Sequence, residues 1–159
     1  MITYVGNFSE CIPEKLYEQL MSPQQISRPF IERCDPKLKK YDTTSTFTYR
    51  INDDVLQINF TLPPEIFGEI VEIWFTRLDP GDVITLHQDG YDVSGEDYVR
   101  YSMYLQDYKP GHIFIHSDTI VVDYKAGDVY KFNDALVWHA AGNLGLEPRL
   151  TAQILAKKL

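Results

Sequence analysis

Three short turns cut the second half of the chain into β-sized pieces. They are Asp79-Pro80-Gly81, Lys109-Pro110-Gly111 and Lys125-Ala126-Gly127, each ending in a glycine. Around them lie short runs such as "DVITLHQD", "VRYSMYLQ", "GHIFIH" and "RLTAQILA". These runs alternate apolar and polar residues and are too short for helices, and they recur at intervals of about a dozen residues. Such spacing restricts the fold to a sandwich or a jelly roll. "TSTFTYRINDDVLQINFTL" predicts a further hairpin around Asn52-Asp53-Asp54. Residues 12–40 differ in character: Leu16, Leu20, Ile26, Phe30 and Ile31 recur at helical intervals. There Pro13 suits a first helical turn and Pro23 separates two short helices. The expected architecture is one domain over residues 1–159, with N-terminal helices at 12–40 and an all-β core at 43–156, an α+β arrangement.

Composition narrows the function classes. A net charge of −8 argues against general binding to nucleic-acid backbones. No apolar stretch reaches the ~20 residues of a membrane-crossing helix, so no membrane partner is expected. The opening "MITYVGNFSE" lacks the basic and apolar regions of a secretion signal, which predicts a cytoplasmic protein. Cys11 and Cys34 match no metal or redox spacing and read as reduced packing residues.

Side-chain alternation sorts three of the runs into faces. Thr85, His87 and Asp89 share one face, opposite Ile84 and Leu86. Ser102 and Tyr104 oppose Met103 and Leu105, while Arg149, Thr151 and Gln153 oppose Leu150, Ala152, Ile154 and Ala156. Each polar face alone is explained by solvent. Together they contain His, Asp, Tyr, Thr and Arg but no lysine or glutamate, which favours convergence inside a barrel whose apolar exterior the N-terminal helices cover.

The chain has 4 histidines. His112 and His116 in "GHIFIH" lie on one face of a short strand; they could form a pair of their own, but read more readily as partly exposed strand residues. His139, considered alone, reads as a core histidine making one hydrogen bond. It gains meaning from its place between His87-x-Asp89 and Arg149, the one lysine or arginine between Lys131 and Lys157.

His87-x-Asp89, His139 and Arg149 resemble the His-x-Asp…His…Arg signature of Fe(II)/2-oxoglutarate-dependent oxygenases, in particular short, phage-type, prolyl-hydroxylase-like members. "LDPGDVITLHQD" is similar to the turn and strand leading into the family's first ligand, and "YSMYLQDYKPGHIFI" to its Tyr-Leu-Asn strand, with Gln106 in place of the Asn. "DYKAGDVYKFNDALVWHAAGN" resembles the strand region carrying the distal histidine, and "RLT" the Arg-x-Ser/Thr pair. The resemblance implies a double-stranded β-helix in which His87, Asp89 and His139 bind Fe(II). Two imidazoles and a carboxylate on one face of iron leave neighbouring positions open for 2-oxoglutarate and O2. Arg149 is then implied to take the distal carboxylate of 2-oxoglutarate as a two-pronged partner, helped by Thr151 and Tyr104. The implied reaction is hydroxylation of a substrate C–H bond with decarboxylation of 2-oxoglutarate to succinate and CO2.

A rival resemblance is to cupins, through Gly81 separated from His87 by five residues, and through His139-x-x-x-Asn143. It would make the chain a metal-dependent isomerase, a keto-acid-independent dioxygenase or a binding module. Arg149-x-Thr151 and Asp89 favour the oxygenase.

The substrate is not legible. A chain of this length has no large insertion to enclose a small molecule, so a protein side chain on a larger partner and a small molecule enclosed by a homodimer are both open. The segment "GYDVSGEDY" follows the first ligand pair and bears Tyr91, Asp92 and Glu96 between Gly90 and Gly95 hinges. It reads either as a solvated acidic loop or as a lid whose carboxylates attract a cationic substrate.

Overall fold

Each of the three glycine turns closes with the hydrogen bond its sequence predicts. Asp82 N–H donates to Asp79 O (2.9 Å), His112 N–H to Lys109 O (3.0 Å) and Asp128 N–H to Lys125 O (3.0 Å). The third residue of each has positive φ (Gly81 93°, Gly111 94°, Gly127 88°), as type II turns require. The computed structural model describes residues 2–21, 47–50, 60–88, 97–132 and 137–158.

The strands are β1 (Ile2–Asn7), β2 (Phe47–Arg50), β3 (Ile70–Leu78), β4 (Val83–His87), β5 (Tyr98–Tyr104), β6 (His112–His116), β7 (Thr119–Ile120), β8 (Asp128–Phe132), β9 (His139–Asn143) and β10 (Arg149–Lys157). A six-stranded sheet runs β1-β8-β5-β10-β3-β2 and a four-stranded sheet runs β4-β9-β6-β7. All these pairings are antiparallel. Two antiparallel sheets are what the expected jelly roll requires, and among the described residues no strand pairing joins them into a closed barrel. Helix is sparse: α1 (Leu16–Met21), α2 (Pro64–Phe67) and a 3-10 turn at Ser9–Cys11.

The helical N-terminal part is thus met only by α1 within its described portion, and residues 22–40 lie outside the described residues. So do Asn52, Asp53 and Asp54 of the expected hairpin. Its first strand, β2, pairs with β3, whereas Phe60, Thr61 and Leu62 form no strand.

The large sheet has one apolar and one mostly polar face. Phe75, Met103, Leu150, Ala152 and Ile154 on the apolar face are fully buried beneath Leu16 and Leu20 of α1, Phe67 of α2 and the loop residues Phe60 and Leu62. Burying a leucine or phenylalanine contributes about 1.5–3 kcal/mol, which is why so short a helix as α1 can be held. Phe67 packs edge-on to Phe8 and Tyr101, with centroids 5.1 and 5.0 Å apart. A second cluster lies between the sheets, where Leu78, Tyr104 and Phe132 of the large sheet meet Phe114 and Ala141 of the small one. The opposite faces of β5 and β10 follow the alternation of the sequence and turn toward the small sheet.

Candidate metal and anion site

Between the sheets lies a small pocket that opens to solvent. The large sheet contributes Trp74, Thr76, Arg100, Arg149, Thr151 and Gln153 to its wall, and the small sheet His87 and His139. Residues separated by up to 79 positions in sequence thus share one space, because antiparallel pairing stacks the polar rows of β3, β10 and β5. Thr151 stands opposite both Thr76 and Tyr104, and Gln153 opposite both Trp74 and Ser102.

His87 reaches the cavity by an irregularity that alternation cannot predict. Ile84 is paired with Ala141 and His87 with His139, so three steps along β4 match two along β9. This β-bulge puts Ile84 and His87 both on the cavity wall, correcting the expectation that they oppose each other. Leu86 faces outward, half exposed.

The two imidazoles are held alike. His87 Nδ1 lies 2.7 Å from Thr85 O and His139 Nδ1 lies 2.9 Å from Val137 O. A carbonyl only accepts, so in each neutral ring Nδ1 carries the hydrogen and Nε2 the lone pair. The ring centroids are 4.2 Å apart and both residues are buried. Burial, reinforced by the nearby Arg100 charge and by the His87 ring competing for the same proton, pushes the His139 pKa down to about 2, which keeps that ring neutral. Neutral imidazoles whose second nitrogen is anchored to a main-chain carbonyl are the form in which histidine binds divalent transition metals. Asp89, Tyr91, Asp92 and Glu96 lie outside the described residues. Among those described, no three His, Cys, Asp or Glu side chains gather as a metal site.

Arg149 is 3% exposed, and its Nε, buried within the protein, has no hydrogen-bond partner. Its guanidinium lies over the rings of Tyr104 (5.4 Å) and Phe114 (5.8 Å). The Tyr104 hydroxyl is buried close to the guanidinium, which can donate toward its oxygen but leaves the hydroxyl hydrogen without an acceptor. Burial raises its pKa strongly, and the Arg149 charge only partly opposes that, so it remains a protonated donor. Tyr104 supports Arg149 from the side, stacked on Tyr124 at 3.6 Å. Two orphaned donors beside one buried cation are costly, at about 1–3 kcal/mol each, unless an anion accepts from them. The residues present thus fit a carboxylate ligand.

Gln106, the departure from the Tyr-Leu-Asn pattern, clamps the entry to β10. Its Nε2 donates to Pro148 O (2.9 Å) and its Oε1 accepts from Leu150 N (3.2 Å), on either side of Arg149. Asn143 is fully buried; its amide donates to Leu78 O and Glu147 O, a structural use of the cupin-like position.

The expectation that His112 and His116 are partly exposed is wrong: they are 1% and 0% exposed. β6 is an inner strand of the small sheet, and alternation sends both histidines inward. His112 accepts from the Tyr124 hydroxyl at Nδ1 (3.0 Å) and donates from Nε2 to Glu147 O (3.0 Å), which makes it structural. His116 is paired with His139, their rings near parallel at 6.1 Å. His87, His139 and His116 therefore form a row across three neighbouring strands.

Arg100 is a further residue of the cavity wall that the sequence alone does not single out. It is buried, donates to Gln153 Oε1 (3.1 Å) and lies over the rings of Trp74 (5.2 Å) and Phe132 (5.1 Å). The signal was present, since Arg100, Ser102 and Tyr104 are alternate residues of one strand.

No family model matches the chain, and no curated protein does. Many solved structures do. A predicted oxalate decarboxylase from Thermotoga maritima is 19% identical, with 61% of this chain and 76% of that chain covered, at a TM-score of 0.42. The non-heme alpha ketoglutarate dependent epimerase SnoN from nogalamycin biosynthesis is 16% identical, covering 54% and 45%, at 0.45. A 2OG-Fe(II) oxygenase family oxidoreductase from Burkholderia pseudomallei is 14% identical, covering 60% and 52%, at 0.45. The chain spans about half the length of the latter two.

Proposed function

We propose that this protein is an Fe(II)- and 2-oxoglutarate-dependent oxygenase that hydroxylates a substrate still to be identified. The observation that carries the reading is one cavity lined by both lone-pair-bearing imidazoles and by a buried arginine with an orphaned Nε. His87 and His139 would hold the metal, with Asp89 as the third ligand. Bound iron would supply the oxygen activation.

The chain's own residues do the positioning. Arg149 offers a planar pair of N–H donors to the distal carboxylate of 2-oxoglutarate, a geometry lysine lacks. The Tyr104 and Phe114 rings fix that plane, and Gln106 fixes the backbone beneath it. Thr151 Oγ1 accepts from Gln153 Nε2 (3.3 Å), so its hydroxyl hydrogen is left to be donated. The Thr85 and Val137 carbonyls keep the Nδ1 hydrogens of both histidines in place.

The experiment is anaerobic loading with Fe(II), addition of oxygen, and measurement of succinate formed from 2-oxoglutarate across candidate substrates. Succinate above the uncoupled background identifies the substrate, whereas no 2-oxoglutarate turnover at all sinks the reading. A second reading, a keto-acid-independent cupin-type metal protein, draws on the His87–His139–His116 row, although these three described side chains do not gather closely enough to hold one ion. His116→Ala separates the two. Loss of metal in that variant supports an all-histidine site, and full metal retention supports the oxygenase.

A further inference from the structure

We propose that Tyr124 and His112 are positioning residues for Arg149, forming a hydrogen-bond relay from the Glu147 carbonyl to the guanidinium that aims the arginine at its anionic ligand. This deepens the oxygenase reading and rests on it for the identity of the anion, the distal carboxylate of 2-oxoglutarate.

Neither residue lines the pocket, and each is delivered by one of the glycine turns. His112 directly follows Lys109-Pro110-Gly111, and Tyr124 directly precedes Lys125-Ala126-Gly127. The loop carrying Tyr124 is tied down at three points. Val121 N–H donates to Phe114 O (2.9 Å), Tyr108 N–H to Tyr124 O (2.9 Å) and Gly127 N–H to Tyr104 O (2.8 Å). Both side chains are fully buried.

The direction of the relay is set by a group with a single role. A carbonyl only accepts, so His112 Nε2 donates to Glu147 O (3.0 Å). Burial lowers the His112 pKa and keeps the ring neutral, which leaves Nδ1 as an acceptor. The Tyr124 hydroxyl must then give its one hydrogen to Nδ1 (3.0 Å), and its oxygen lone pairs are left for the guanidinium. Tyr104 plays the opposite part. The guanidinium can donate toward its oxygen too, but nothing in the protein accepts its hydrogen. Of two phenols stacked at 3.6 Å, Tyr124 thus holds the arginine and Tyr104 keeps a hydrogen for the ligand.

His112 also braces the backbone, because Glu147 lies two residues before Arg149 and its carbonyl accepts from Asn143 Nδ2 as well (2.8 Å). One histidine therefore steadies both the entry to β10 and, through Tyr124, the head of the arginine. Neutral partners suit this task. A carboxylate would cancel the charge that the ligand needs, and among the described residues none is paired with Arg149. Phenol oxygens orient the guanidinium in advance and leave its charge intact.

The test is calorimetric titration of 2-oxoglutarate into Mn(II)-loaded protein. Tyr124→Phe keeps the ring against Tyr104 and removes one oxygen. It should weaken 2-oxoglutarate by about fivefold or more and change Mn(II) affinity by less than about twofold. Two replacements of His112 separate positioning from support. His112→Asn sets a carbonyl oxygen near the place of Nδ1 and keeps an acceptor for Tyr124. His112→Gln reaches Glu147 O with its amide and loses that acceptor. His112→Asn should therefore stay within about threefold of wild type, and His112→Gln should lose about fivefold or more, whichever melts lower. Wild-type affinity in Tyr124→Phe overturns the inference, as does affinity in the His112 variants that follows melting temperature instead. Failure of wild-type protein to bind 2-oxoglutarate would sink the oxygenase reading. The relay is then tested with glutarate, which lacks the oxo group, on metal-free protein. Weaker glutarate binding by Tyr124→Phe supports it; equal binding, or none to wild type, overturns it.

Discussion

His87, His139 and His112 are three buried histidines with different hydrogen-bond environments, and they should respond differently to loss. In His87 and His139 the Nδ1 hydrogen is committed to a carbonyl and Nε2 keeps its lone pair. His87→Ala, His139→Ala and Asp89→Ala should each cut Mn(II) affinity at least tenfold by equilibrium dialysis, while the melting temperature of the metal-free protein falls modestly. His112 has both nitrogens in use, toward Tyr124 and Glu147. His112→Ala should therefore retain metal affinity and lose about 2–4 kcal/mol of stability in urea, through two broken buried hydrogen bonds. Metal loss in His112→Ala without loss of stability would reverse these assignments.

At the scale of elements, the turns and the bulge decide where the site residues point. Gly111 and Gly81 share the same positive φ but not the same surroundings. A Cβ on Gly111 would lie 2.3 Å from Gly145 N, whereas one on Gly81 meets nothing within 4 Å. Gly81→Ala should cost about 1–2 kcal/mol, the backbone penalty alone, and Gly111→Ala clearly more, both read from urea unfolding. Equal costs would mean that the Gly111–Gly145 approach is not a constraint. These turns were legible in the sequence because their chemistry is local. So were the faces of β5 and β10, where apolar and polar residues alternate without interruption. The orientation of Ile84 was not, because a bulge is set by pairing with β9 and leaves no local mark. The burial of His112 and His116 was missed for a related reason: alternation gives a face but not which strand is interior. Arg100 was overlooked because a charged residue at a strand's start reads as solvent-facing until Trp74 and Phe132 are seen to cover it.

For the whole molecule, keeping a neutral imidazole between two sheets ties stability to pH. Unfolded, His139 takes up a proton around 6.5; folded, only around 2. The folded state thus excludes a proton that the unfolded chain accepts, so this contribution is complete above pH 6.5 and is lost as pH falls below it, by about 1.4 kcal/mol per unit. Metal-free protein should lose roughly 2–3 kcal/mol more than His139→Gln between pH 6.5 and 4.5 in urea unfolding; equal losses would mean that the ring is protonated in the folded state. The cavity that imposes this cost also joins the histidine pair to Arg149. The most direct measurement of that union is anaerobic titration of the Fe(II)-loaded protein with 2-oxoglutarate, followed by the weak visible charge-transfer absorption of a chelated keto acid. Wild-type protein should give a saturable band at one equivalent per chain. In Arg149→Lys the half-saturating concentration should be tenfold or more higher, since losing a buried two-pronged partner costs roughly 2–5 kcal/mol. A metal-loaded protein that gives no band, or whose band is indifferent to Arg149, would contradict a site shared by the histidines and Arg149.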